Sequence, residues 1–216
     1  MNDARFDAAA LQGRTAHTMF GIVSAVDPVN HAVKVRIQPE NIETGWIPDA
    51  CGVHAGDLRI ARPSSPGTHV VLQPVEGDGE HLVVTGSVYD TVVMAPVSPL
   101  TGKVAQPGEF LVKGGCGLPP LSASGSVGAS SSGAGWLHIG PDGVAAGAGN
   151  ASLLIKNGAI SLSVGGTDMT LTSVGLTLSG GDIRTDQHSL NEHIHLAGSQ
   201  KREGRLDDRS FAYFRK

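Results

Sequence analysis

The sequence predicts an all-β protein: a small barrel followed by a rod wound from several copies of the chain. Three observations carry this. Glycine is abundant at 30 of 216 residues, while aromatics make up 4% and charged residues 17%. That leaves little material for a wide core and suits thin strands joined by many turns. Apolar and polar residues alternate in short runs, at Val33, Val35 and Ile37 around Lys34 and Arg36, and at Ile160, Leu162 and Val164 around Ser161 and Ser163. A period of two puts each set on one face of a strand. The later runs are broken by glycine, so one chain offers narrow ribbons with a single apolar face, marginally stable alone. Winding identical chains around a common axis buries that face and closes the edges.

Residues 1–17 read as an N-terminal arm or short helix, capped by Asn2 or Asp3, apolar at Phe6 and Leu11, and ended by Gly13. The segment carries Asp3, Arg5, Asp7 and Arg14 and has no signal-peptide pattern. Residues 18–95 hold runs at 20–26, 31–37, 46–48, 68–72 and 81–88, with a turn at Asp27-Pro28-Val29-Asn30. Short strands separated by Gly, Pro and Asp turns predict a closed or partly closed barrel. Residues 96–135 read as a connector with a strand-like fragment at 109–113. Within 117–135, sixteen of nineteen residues are Gly, Ser, Ala or Pro, which suits either a flexible linker or close packing where three chains crowd. Residues 136–187 form the predicted rod. Leu162, Leu171 and Leu178 recur there at intervals of nine and seven, an approximate strand-and-turn period.

His193 and His195 are the candidate metal ligands, in a tip spanning 188–200. On an extended strand both rings project to one side, roughly 6 to 7 Å apart. Two imidazoles leave a metal open, whereas three chains on a three-fold axis supply six nitrogens. That octahedral set favours Fe²⁺ or another first-row ion over tetrahedral zinc. His188 reads as a turn cap, since Ser189-Leu190-Asn191 gives little support to a helix that would align it with Glu192 and His195. The remaining histidines are scattered and read as ordinary surface or half-buried residues. Cys51 and Cys116 lack zinc spacing, and whether they form disulfides stays open. No GxSxG elbow, phosphate loop, HExxH or paired carboxylates occur, so the expectation is that the protein is not an enzyme. The net charge is −4, and between Thr18 and Thr91 nine acidic residues outnumber four basic ones. The barrel is therefore expected to be a docking platform that binds no nucleic acid. The tail 201–216 differs in character, with six basic and three acidic residues plus Phe211, Tyr213 and Phe214.

These residues resemble the baseplate assembly protein V family, the central spikes of contractile phage tails. The resemblance begins at Met19-Phe20-Gly21-Ile22-Val23. It continues through the alternating run 33–37, Gly45-Trp46-Ile47-Pro48, the run 66–72 and the run 82–89. The Ser/Thr/Gly-rich repeat and the HxH at His193 and His195 complete it, so that it covers residues 19 to about 197. It implies an N-terminal OB-fold barrel docked on the tail hub, then an intertwined trimeric β-helix spike with a distal HxH tip. One iron ion per trimer would be held by His193 and His195. The implied role is structural: a homotrimer in the virion baseplate, assembled in the host cytoplasm, that pierces the host outer envelope when the sheath contracts. Alternatives are a trimeric receptor-binding fibre or adhesin, or the puncturing spike of a tailocin or secretion particle. The chain departs from the family pattern in having Ile194 between the histidines and sixteen residues after Gln200.

Overall fold

The computed structural model describes residues 16–50, 52–122, 124–184, 186 and 189–191. Most of the arm expected over 1–17, most of the tip over 188–200 and all of the tail 201–216 lie outside these residues. Every regular element described is a β-strand and none is a helix, so the chain is all-β.

The first sheet runs β3 (Ile42–Glu43), β2 (Ala32–Ile37), β1 (Met19–Asp27), β7 (His69–Val75), β8 (Asp78–Ser87), with β4 (Ile47–Pro48) also pairing with β2. It curls into a half-barrel. One cause is a bulge in β1 between Val23 and Ala25, where Ser24 is the extra residue and donates from Oγ to Lys34 O at 3.2 Å. A second register shift lies in the β7–β8 pair at Val71 and Leu72. Bulges bend and twist the strands that carry them. The alternation places Val23, Val33, Val35, Ile47, Val70, Leu72, Leu82 and Val84 in one buried cluster, with Met19, Val26 and Ile37 at its margin. The turn after β1 is held by Asp27, whose carboxylate accepts from Val29 N, Asn30 N and Asn30 Nδ2.

A separate hairpin, β5 (Val53–Ala55) and β6 (Leu58–Ile60), pairs with no other strand among the described residues. Its base is pinned by the nearly buried Asp49, which accepts from Ser64 N at 2.8 Å and Ser64 Oγ at 2.9 Å.

The second sheet is a seven-stranded antiparallel meander: β9 (Phe110–Lys113), β10 (Gly135–Gly140), β11 (Gly143–Ala148), β12 (Ala151–Lys156), β13 (Ala159–Val164), β14 (Thr167–Thr172) and β15 (Gly175–Ser179). From β10 onward the strands start at 135, 143, 151, 159, 167 and 175. The repeat is eight residues, a strand and a two-residue turn. Turns such as Asn157-Gly158 and Gly165-Gly166 are the short connections that hairpins prefer. The leucine intervals of nine and seven straddle this unit. One strand differs from the sequence reading. β11 is built from Gly and Ala around a single Val144, which gives no alternation signal, whereas β9 falls on the strand-like fragment expected at 109–113.

The rest of 96–135 is tied down by its backbone. Gly114 N donates to Gly135 O, Ser131 N to Gly115 O and Gly128 N to Leu118 O. These bonds make 114–135 a hydrogen-bonded excursion between β9 and β10. A Cβ at Gly117 would collide with the carbonyl of Gly128, and its φ is +92°, so small residues are required where the two arms touch.

Candidate functional site

The barrel sheet has its own core and the meander does not. Among the described residues, Ala145 is the one buried hydrophobic residue of the meander. Directly opposed residues of antiparallel strands share a face, so the register shows what each face carries. One face runs Val112–Leu137–Ala146–Leu153–Leu162–Met169–Leu178 from β9 to β15. A parallel row runs Phe110–Ile139–Val144–Ile155–Ile160–Leu171–Leu176. Fourteen consecutive positions on this face are apolar, yet nine of them are exposed and none is buried, with Leu162 at 39% and Leu176 at 57% exposure. Strands about 4.8 Å apart and residues about 3.3 Å apart make this face roughly 30 Å by 17 Å. An apolar area of roughly 500 Å² is at the upper end of what a monomer exposes.

The opposite face is polar over β13 to β15. Ser161 and Thr170 exchange a hydroxyl hydrogen bond at 3.3 Å, and Ser163, Asp168, Thr177 and Ser179 extend the polar set. At the β9–β10 end this face holds a buried histidine. His138 is 3% exposed, and its Nδ1 lies 2.9 Å from Oγ of the fully buried Ser98. Its Nε2 lies 3.4 Å from Glu109 Oε2 without hydrogen-bond geometry. Ser, His and Glu in a row resemble a hydrolytic triad, but Ser98 Oγ has no exposed surface and also accepts from Leu100 N at 3.2 Å. The group pins the bridged connector segment (Val97 with Val104) onto β10. Lys113 Nζ assists by donating to Val97 O at 3.0 Å. Positions 98, 109 and 138 share no motif spacing, so nothing in the sequence links them.

At the other end, beyond β15, Asp182 gathers the chain. Its carboxylate accepts from Ser189 Oγ, from Asn191 N at 3.0 Å and from Arg184 Nε at 3.0 Å. Chiefly the Ser189 bond holds this carboxyl below the usual carboxylate range. The described chain ends at Asn191, so the candidate ligands His193 and His195, and His188 as well, lie outside the described residues. Among the described residues no three His, Cys, Asp or Glu side chains converge as a metal group. The donor set itself, two neutral imidazoles at i and i+2, suits a first-row metal only when more than one chain contributes.

The other described histidines are dispersed. His69 pairs with Asp90 at 2.6 Å and His81 with Asp78 at 2.6 Å. The hydrogen bond to Asp78, reinforced by its charge, raises the His81 pKa. On the barrel, Lys34 Nζ sits 5.5 Å from the centre of the Trp46 ring. Beside that ring an open groove is lined by Glu76, Asp78 and Glu80, an acidic rim opposite in sign to a nucleic-acid channel. No protein-family model and no curated protein sequence matches the chain.

Proposed function

We propose that the protein is the structural, trimeric central spike of a contractile phage tail baseplate. The observation that carries this is the open apolar face of the meander, which has no core on its own chain. Three such sheets set face to face around a three-fold axis would bury all fourteen positions and leave the Ser/Thr face outward. The barrel half is read as an OB-fold. Its pairing circuit β8-β7-β1-β2-β4 curls five strands into a half-barrel, which supports that reading, and its acidic surface suits docking on the tail hub rather than binding nucleic acid. The mechanism is mechanical. A stiff rod with closed edges delivers the force of sheath contraction to a small apex and so pierces the host outer envelope. In this reading His193 and His195 of three chains would hold one iron ion that clamps the strand ends at the tip. The protein would belong to the virion, in the tail baseplate, after assembly in the host cytoplasm.

Sedimentation of the purified full chain tests the reading. The expected species is three times the 22.2 kDa chain mass, and a folded, monodisperse monomer refutes it.

A further inference from the structure

The groove beside Trp46 joins an apolar wall to an acidic rim. Trp46 and Pro48 of β4 form one side, and the end of the β7–β8 hairpin forms the other. Trp46 is 53% and Val75 48% exposed there. The rim is Glu76, Asp78 and Glu80. Asp78 is engaged by His81 at 2.6 Å, whereas no salt bridge reaches Glu76 or Glu80 among the described residues. Such a surface suits a segment that is basic at one point and apolar at the next.

The fold delivers one segment of the chain to this rim. β1 begins opposite the middle of β7, with Met19 paired to Leu72, and residues 16–18 lead toward the turn of the β7–β8 hairpin. Ala16 N donates to Gly77 O at 2.9 Å. The Ala16 methyl group packs over Gly79, where an added Cβ would meet it at 3.5 Å. Gly77 lies between Glu76 and Asp78, so the chain N-terminal to Ala16 departs from the acidic rim itself. The order of side chains along that segment matches the order of surfaces across the groove. Counting back from Ala16, Arg14 comes first, then Leu11, then Phe6. Starting from Gly77, the carboxylates come first and the Trp46 wall second. At about 3.3 Å per residue Arg14 reaches roughly 7 Å from the anchor and Leu11 roughly 17 Å. Two strand spacings of about 4.8 Å separate β7 from β4, so Leu11 spans the distance.

We propose that the segment 1–15 straps this groove on its own chain. Arg14 meets the Glu76 and Glu80 carboxylates, and Leu11 and Phe6 cover Trp46, Pro48 and Val75. The anchor at Gly77 selects this occupant, because a tethered segment is present at its site at a roughly millimolar effective concentration and needs only a modest contact to stay there. The tail 201–216 is also basic and aromatic, but the described chain leads to it from beyond β15 and not from the barrel. The strap covers apolar surface that the barrel strands leave open and shields it from basic segments of other proteins. The inference is independent of the trimeric reading.

The experiment is disulfide trapping in the full chain, with Cys51→Ser and Cys116→Ser removing the native thiols. Leu11→Cys is combined in turn with Val75→Cys and Pro48→Cys, and with Val29→Cys, at the far end of β1, as the control. Mild oxidation of the first two pairs is expected to link each chain to itself, giving a single-chain band of altered mobility on a non-reducing gel, and the control pair should give none. In the cysteine-free protein, amide exchange across 75–83 should speed up roughly tenfold on Leu11→Asp, which removes the apolar contact. Arg14→Glu should speed it as well, and adding Glu80→Arg should return it toward the parent rate. Links between chains, no link from either groove pair, or exchange unchanged by both Leu11→Asp and Arg14→Glu would each overturn the strap. Faster exchange on removal of 201–216 instead would assign the groove to the tail and overturn it too.

Discussion

Leu162→Asp separates assembly from chain folding. Leu162 stands mid-face, paired with Leu153 and Met169, and keeps 39% of its surface in one chain. Full burial of a leucine is worth about 1.5–3 kcal/mol. The fraction still to be covered on assembly therefore contributes roughly 0.6–1.2 kcal/mol per chain, or about 2–4 kcal/mol per trimer. An aspartate in a separate chain stays in water and costs little. In the assembled rod three carboxylates would meet in an apolar interior at several kcal/mol each, on the order of 10 kcal/mol together. At about 1.4 kcal/mol per tenfold, association weakens by roughly seven decades. Sedimentation should show monomers at micromolar concentration, with the barrel core still folded by circular dichroism. Thr177→Asp, on the opposite face, should leave the trimer intact. Acid should partly restore the Leu162→Asp trimer, because a carboxyl entering that interior is admitted in its neutral form. A Leu162→Asp protein that sediments and melts like wild type would refute the buried face.

Leu72→Ala, at a fully buried position of the barrel core, should lower denaturant stability of that half by about 2–5 kcal/mol without changing the sedimentation coefficient; no shift in its denaturation midpoint would count against the core assignment. Asp78, Asp90 and Asp182 all have lowered pKa values, caused first by hydrogen bonds from Glu80 N, Val93 N and Ser189 respectively. Their stabilisation is present above the ordinary carboxylate value near 3.8 and fades as pH falls through the lower folded values, so acid unfolding should begin below about pH 4. His81 has the opposite sign: its raised pKa gives stabilisation that is full below the free-histidine value and lost as pH rises through the folded one, and Asp78→Asn should return its NMR titration toward that of a free histidine. His193→Ala with His195→Ala should leave the trimer intact and strip its metal, and elemental analysis showing well under one metal per three chains in metal-replete wild type would remove the metal site.

The barrel was legible because its inward residues are β-branched or leucine at strict alternation. Val33, Val35, Val70 and Leu72 could sit on only one face, and all are fully buried. The meander was legible where Ile, Leu and Met alternate with Ser and Thr. It was not legible in β11, because a strand of Ala and Gly with only Val144 among them survives by pairing on both edges rather than by its own pattern. The Ser98–His138–Glu109 cluster was invisible for a different reason. Its members come from a connector, a turn and a strand brought together only when the connector folds back on β10. The groove beside Trp46 was equally hidden, since its walls come from β4 and from the end of the β7–β8 hairpin, which are distant in sequence.

The two halves place their stability at different levels. The barrel buries its apolar side chains within one chain, so it can fold before any partner arrives. The meander makes nearly all its contacts between sequence neighbours, which favours fast local pairing, but it leaves its apolar face uncovered within the described chain. Its ends are managed separately. The connector, held by Ser98, His138 and Lys113, covers the β9 end, and the Asp182 bonds to Ser189 and Asn191 fold the chain back after β15. In a linear array of hairpins only the terminal units lack a neighbour on one side, and these two devices sit at those units. A chain built this way would commit to its rod only on meeting its own copies. In that proposed rod its glycine turns and short strands would serve length and stiffness, and the barrel would serve attachment.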